Sequence, residues 1–348
     1  MTIRERLLGC IRHEPTDRVP VNYLVGRGGM SQRLLDYFGV RNHPELIRKL
    51  GIDGMDPWGW ALVEPDFRGP PQPPATNPVV MLVAWGAVSE YATPMSGCDT
   101  VADLDRHQYP RVEWFDFTEL AARLQAVRDH DALTFFGPVS VGFTHHVRMR
   151  GFERTFLDLQ DEAWMIRYLE HVVGSTQALL QRLFREVGGR LDVVHLDEDV
   201  GANDRMLISP ATWRRYYLPA WRAACDVVKR HGIRLWMHSC GCCRDIVGDF
   251  VDLGVDVLNP IPGYVAGNDQ RWLKERFGRL LCFDGGVDQP TVMIRGTPAQ
   301  VEDEVRRVLD IMAPGGGFMI QPSQGLTEDM PMRNIKRFFE AALKHGAY

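Results

Sequence analysis

The chain alternates short apolar runs with stretches whose apolar residues recur every three or four positions, most regularly in its second half. LDVVHLDED (191–199) is apolar and β-branched, and Ser209 with Pro210 makes an N-cap and first-turn pair after it. Trp213, Tyr217, Trp221, Ala224 and Val228 then hold a helical period as far as Gly232, where a helix should stop. IRLWMH, VDVLNP, LLCFDGG and GGFMIQP read as buried strands. The helical stretches RDIVGDFVDLG, DQRWLKERFG, TPAQVEDEVRRVLDIM and NIKRFFEAALK follow them in turn. Strand-then-helix order predicts a parallel sheet with helical crossovers.

The strand count decides the kind of sheet. Six strands begin near Leu133, Leu191, Ile233, Val255, Leu280 and Gly317, and weaker ones at RVPVNYL and GIDGMDP bring the number to eight. Eight such units predict an α/β fold, a (β/α)8 TIM barrel, with its chemistry at the carboxyl ends of the strands. Between about Pro57 and Glu113 the rhythm breaks: PQPP is followed by VVMLVAWGAVSEYAT, which alternates like a hairpin. The expectation is one barrel domain over residues 1–348, with an inserted β-hairpin region at about 57–113, between strands 2 and 3, lying over the barrel mouth.

Composition narrows the partners. A chain of 348 residues with 45% hydrophobic content can bury a large core. Its net charge of -5 is scattered, leaving no basic face for nucleic acid or anionic lipid. No apolar run approaches the ~18 residues of a membrane span, and the N-terminus lacks a signal-peptide pattern, so a cytoplasmic protein is expected. The seven cysteines, Cys10, Cys98, Cys225, Cys240, Cys242, Cys243 and Cys282, do not space like a disulfide framework and read as thiols. Cys10 and Cys225 sit in helical patterns as small hydrophobes.

The candidate chemistry lies where the strands end. Those positions carry Asp53 and Asp56, Gly137, Asp197 with Glu198 and Asp199, His238 with Cys240, Asn259, Asp284 with Asp288, and Gln321 with Gln324. A single Asp there could simply cap a helix. The triplet Asp197-Glu198-Asp199 is costly to bury unless solvated, paired or metal-bound. In WMHSCGCCRD (236–245), His238 and Cys240 are two apart, so on a strand end both side chains point to one side, where they can share a zinc ion. A third ligand could come from Cys242, Cys243, Cys282 or Glu198, and the residues do not choose among them. With no second C-x-x-C, an open catalytic site fits better than a structural knot. The plainer alternative is a histidine bonded to a carboxylate beside packed thiols. APGGGF lacks the lysine of a phosphate loop and reads as a turn. Of the adjacent His145 and His146, only His146 is kept as a minor site candidate.

HSCGCCRDIVGDFVDLGVDVLNPIP, LKERFGRLLCFDGGVDQ and APGGGFMIQPSQGLTEDMPMRNI, with DEDVGANDRMLISPATWRRYYLP upstream, resemble the uroporphyrinogen decarboxylase superfamily over roughly residues 190–340. The resemblance implies a (β/α)8 barrel that is either a tetrapyrrole decarboxylase or a zinc-dependent methyltransferase working with a corrinoid protein. The arginine-rich stretch of the decarboxylases is represented only by Arg27 in PVNYLVGRGGM. Ten residues before Asn334, where decarboxylases carry a histidine and methyltransferases a second cysteine, this chain has Gln324. The methyltransferase branch is the closer pattern. It implies zinc held by His238, Cys240 and Glu198, and a methyl group passing between a small-molecule ether (as in an O-demethylase), amine or thiol and a corrinoid on a partner protein. Asp197, Glu198, Asp199 and Asp284 would orient ligands or act as acid and base. Asp56, Trp58, Asn259 and Gln324 would line the substrate site, and Trp58, Trp60 and Trp85 could stack on an aromatic ether or the corrin, or merely pack. Two alternatives are a metal-free decarboxylase or lyase, anchoring a carboxylate on Arg27 or Arg148, and a non-catalytic tetrapyrrole or corrinoid binder. A homodimer is compatible with a barrel carrying an inserted arm.

Overall fold

Strands and helices form where hydrophobic period and capping agree. The computed structural model describes residues 1–25, 29–54, 60–69, 93–265 and 267–347. Two strands lie outside the main sheet, β1 (Asp66–Phe67) and β2 (Phe115–Asp116), paired antiparallel. The main sheet is parallel and follows chain order: β3 (Phe135–Val139), β4 (Val193–Asp197), β5 (Arg234–His238), β6 (Val257–Asn259), β7 (Cys282–Val287) and β8 (Phe318–Pro322). All but Arg234 in these strands are buried, as expected when helices cover one face and a barrel interior the other.

The remaining two barrel positions are held by short bridged segments. Val21 bridges Ile320 of β8 in parallel, with Ile320 N–H donating to Pro20 O at 2.9 Å and Asn22 N–H to Ile320 O at 2.8 Å. Asp53 N–H continues the ring by donating to Val21 O at 2.9 Å. Leu62 bridges Phe135 of β3 from the other side. The fold is the expected (β/α)8 barrel, with one adjustment. The contact of the second segment with β3 falls on Leu62, beyond GIDGMDP, where the sequence places the second strand. Asp53 is no mouth residue either. Its carboxylate takes Arg6 Nη1 and Arg18 Nη1, and the Val21 N–H at 2.9 Å, pinning this segment to the N-terminal helix Ile3–Ile11.

The crossover helices begin at the anticipated caps. Ser209 Oγ accepts from Thr212 N–H at 3.0 Å at the start of Pro210–Lys229, and Thr297 with Gln300 forms a capping box for Pro298–Met312. Trp213, Tyr217, Trp221, Ala224 and Val228, the helical stripe read from the sequence, are all buried. The hairpin expected in VVMLVAWGAVSEYAT lies almost wholly outside the described residues; β1 and β2 belong to the described flanks of that insertion. No helix among the described residues is long and apolar enough to cross a membrane.

Candidate metal centre at the barrel mouth

Strand register builds the site. Asp197, the last residue of β4, pairs with His238, the last of β5, and His238 pairs with Asn259, the last of β6. Three polar side chains thus stand in a row at the carboxyl ends of adjacent strands. Deeper in the interior the apolar pattern resumes with Trp236, whose ring meets His195 edge to face at 4.6 Å.

Beyond the strand ends, one donor atom each from Asp199, His238 and Cys240 lies within 4.8 Å of the others. His238 Nε2 is 3.0 Å from Cys240 Sγ and 3.9 Å from Asp199 Oδ1. Tetrahedral zinc with bonds of about 2.0 to 2.3 Å needs donors roughly 3.5 Å apart, so these spacings fit one ion with little movement. Asp199 is held by two further bonds: its carboxylate accepts Cys240 N–H at 2.7 Å, and its own N–H donates to Thr144 Oγ1.

The supporting network fixes the histidine tautomer. Asn259 Nδ2 donates to the carbonyl and carboxylate of Asp284, at 3.1 and 3.0 Å, which turns Asn259 Oδ1 toward His238 Nδ1 at 2.8 Å. Nδ1 therefore carries the proton, and the Nε2 lone pair faces Cys240 and Asp199. Gln321 Nε2 and Asn22 Nδ2 also donate to Asp284, at 2.6 and 3.3 Å. Burial pushes the Asp284 carboxyl up to about 7, although Asn22, Asn259 and Trp236 favour its ionised form. Burial alone would lower the His238 pKa, but Cys240, Asp199 and Asp197 outweigh it and hold the imidazole well above its usual range. The cluster thus favours positive charge at its centre, whether a proton or a metal ion.

Glu198 does not join this cluster, a correction to the expected ligand set. Alternation along the strand turns Asp197 and Asp199 to the interior and Glu198 to the surrounding helices. Its Oε1 accepts from Trp213 Nε1 at 2.8 Å and Phe143 N–H at 3.1 Å, and its Oε2 from Thr144 N–H at 3.2 Å. The carboxylate caps the helix Phe143–Arg150, and burial pushes it up to about 7 against those donors. A Cβ at Gly142 would lie 2.2 Å from Glu198 Oε1, so this close approach requires glycine. Asp199, not Glu198, supplies the third donor atom of the cluster.

The cysteine alternatives fall away for local reasons. Cys243 is buried in the core with its thiol pushed up to about 12 by burial, and Cys282 opens β7 at the opposite end of the strand from the mouth, 3.7 Å from Cys10. Cys242 is buried against Gly267, where a Cβ would meet its Sγ at 2.7 Å. Gln324 does reach the cluster, with Nε2 at 3.1 Å from Cys240 Sγ. His145 and His146 are buried in the helical layer, bonded to Tyr168 and to Tyr217 with Asp158 respectively, so His146 packs rather than lines the mouth. Trp60 packs half-buried against the core. Asp56, Trp58, Arg27 and Trp85 lie outside the described residues.

Three contributors escaped the sequence reading. Asn22 interrupts the apolar run VPVNYLV and His195 interrupts LDVVHL, and a polar residue inside a buried strand was the available signal. Thr144 gave none, because its role depends on a helix start meeting a distant loop.

A family model described as Uroporphyrinogen decarboxylase (URO-D) matches residues 98–345. Among solved structures, a methyltransferase from Methanosarcina mazei is 19% identical over 99% of both chains with a TM-score of 0.61, a likeness of fold. A D-psicose 3-epimerase solved in the presence of D-fructose is 12% identical over 70% of this chain and 85% of its own, with a TM-score of 0.40, too low to carry an argument. None of the curated proteins matches the sequence.

Proposed function

Because the chain belongs to the uroporphyrinogen decarboxylase family, we propose that it is a zinc-dependent methyltransferase of that family, passing a methyl group between a small-molecule ether, amine or thiol and a corrinoid on a separate protein. The observation that carries this reading is the convergence of Asp199, His238 and Cys240. One nitrogen, one sulfur and one oxygen donor leave a fourth position open, as catalytic zinc requires. When bound, zinc supplies a Lewis acid that lowers the charge cost of a departing alkoxide, phenolate, amine or thiolate.

The chain's own residues do the rest. Asn259 orients His238 and keeps the proton on Nδ1, and Asp284 fixes Asn259. Gln324 crowds Cys240 with a neutral amide, limiting this side of the centre to one thiolate. The Asp199 carboxylate sits on the backbone of Cys240, so the two ligands move together.

A metal-free carboxy-lyase is the second reading, and Arg148, ion-paired to Asp197 at 2.8 Å, is the feature that favours it. Plasma mass spectrometry on untagged protein separates the two. About one zinc per chain in the native sequence, lost in Cys240→Ser, is the expected result. Zinc absent from native protein refolded with excess metal would overturn the methyltransferase reading and leave the lyase.

A further inference from the structure

We propose that Arg148 is the anchor for an anionic group, a carboxylate, on the substrate of this barrel. The inference deepens the function proposed above and rests on it for the identity of the reacting end.

Arg148 lies in the last turn of the helix Phe143–Arg150 and reaches the interior, where Nη2 meets Asp197 Oδ2 at 2.8 Å. Asp197 is paired in register with His238 on the neighbouring strand, about 4.8 Å away. The guanidinium charge is also felt at His195, inside the barrel. Arg148 therefore belongs to the same surface as the metal-centre donors.

The buried arginines Arg150 and Arg6 show what a purely structural arginine looks like in this protein. Arg150 spends Nε, Nη1 and Nη2 on Asp158, Met95 O and Asp99, and Arg6 spends the same three nitrogens on Asp17, Asp53 and Met1 O. Their side chains are 1% and 8% exposed. Arg148 makes a single contact among the described residues and its side chain is 33% exposed, while its partner Asp197 is 1% exposed. A guanidinium carries five N–H donors in a planar fork matched to carboxylate. Here a buried aspartate meets the fork at one nitrogen, and among the described residues nothing else engages it. Preorganisation of that kind suits an incoming carboxylate, which gains a two-pronged, charge-assisted contact without ordering a flexible side chain.

Mouth electrostatics make the arginine necessary for such a ligand. Asp199 is an acidic neighbour, Asp197 is balanced by Arg148, and among the described residues Arg148 is the only lysine or arginine ion-paired with Asp197, Asp199 or Asp284. A neutral substrate would need no such anchor. An anionic one would bind poorly without it.

The test uses full-length, zinc-loaded protein and isothermal titration with methoxyacetate and benzoate beside their neutral amides. Each acid should bind at least about ten-fold more tightly than its amide. The preference should vanish in Arg148→Met and survive in part in Arg148→Lys. Since Arg148→Met strips a buried aspartate of its partner, the double variant Arg148→Met with Asp197→Asn serves as a charge-balanced control and should show the same loss. Equal binding of acid and amide, an undiminished preference in both methionine variants, or no saturable binding of either acid overturns the assignment. Zinc content is read on every sample, so loss of the metal reading shows there, while the carboxylate preference is expected to persist in chelator-stripped protein.

Discussion

Asn259 accepts the Nδ1 proton of His238 at 2.8 Å while its own amide hydrogens go to Asp284. One side chain therefore decides which ring nitrogen can meet a metal. Asn259→Ala should weaken zinc binding by about 10- to 100-fold, the usual cost of losing such a support. Competition against a chromophoric chelator measures it, and an unchanged affinity would remove the tautomer argument.

Glu198 and Asp199 are neighbours with opposite duties, and they should separate cleanly on substitution. Glu198→Ala leaves the amides of Phe143 and Thr144 and the Trp213 indole without their acceptor. A loss of about 3 kcal/mol in denaturant unfolding is expected, with zinc still near one per chain. Asp199→Ala should do the reverse, releasing zinc at little cost in stability. Zinc lost from Glu198→Ala protein that remains folded would return Glu198 to the ligand set.

Asp284 gives a pH signature. Its folded pKa, about 7, stands above the usual aspartate value of 3.8, so the folded state holds a proton that the unfolded state has released between those limits. Relative to Asp284→Asn, which does not titrate, native stability should fall as pH rises from about 4 through about 7. The change amounts to as much as ~4 kcal/mol, from ~1.4 kcal/mol per pKa unit. Urea unfolding of both proteins at pH 5, 6, 7 and 8 reads the difference, and a flat difference would show that the buried carboxyl stays ionised throughout.

Gln324 stands where a fourth protein ligand could sit. Gln324→Cys places a thiol beside Cys240 Sγ, from which the native amide nitrogen is 3.1 Å away. Zinc should bind more tightly, and turnover should fall, because a fourth protein ligand closes the open position. Tighter zinc with undiminished turnover would mean that the substrate does not use that position.

Gly241 lies at φ +76, and a Cβ there would sit 2.3 Å from Gly201 O. The reciprocal contact is as close, with a Gly201 Cβ 2.4 Å from Cys242 N. Gly241→Ala should force apart the loops that carry Asp199 and Cys240, lowering the melting temperature by several degrees and reducing zinc occupancy together.

Much of this molecule is legible without coordinates, and the reasons are local. The stripe Trp213, Tyr217, Trp221 and the Ser209 cap specify their helix through period and hydrogen bonding alone, and His238 with Cys240 follows from alternation on a strand end. That Asp199 is the third donor of the cluster was not legible, since choosing within Asp-Glu-Asp requires knowing which of these residues at the end of β4 face inward. Asn259 read as a substrate contact because its partner His238 is on another strand, and register between strands is not written in either one. The position of the second barrel segment at Leu62 was likewise hidden, because a single parallel bridge leaves almost no pattern in sequence.

The triplet Asp197-Glu198-Asp199 divides one short stretch between two audiences. Its outer members face the barrel mouth, and its middle member faces the scaffold and holds a helix start in place. Chemistry at the mouth can therefore be rewritten at 197 and 199 while 198 keeps the frame, and the two kinds of change can be made in either order. For anyone redesigning this barrel, three consecutive acidic residues amount to one fixed bolt between two adjustable jaws.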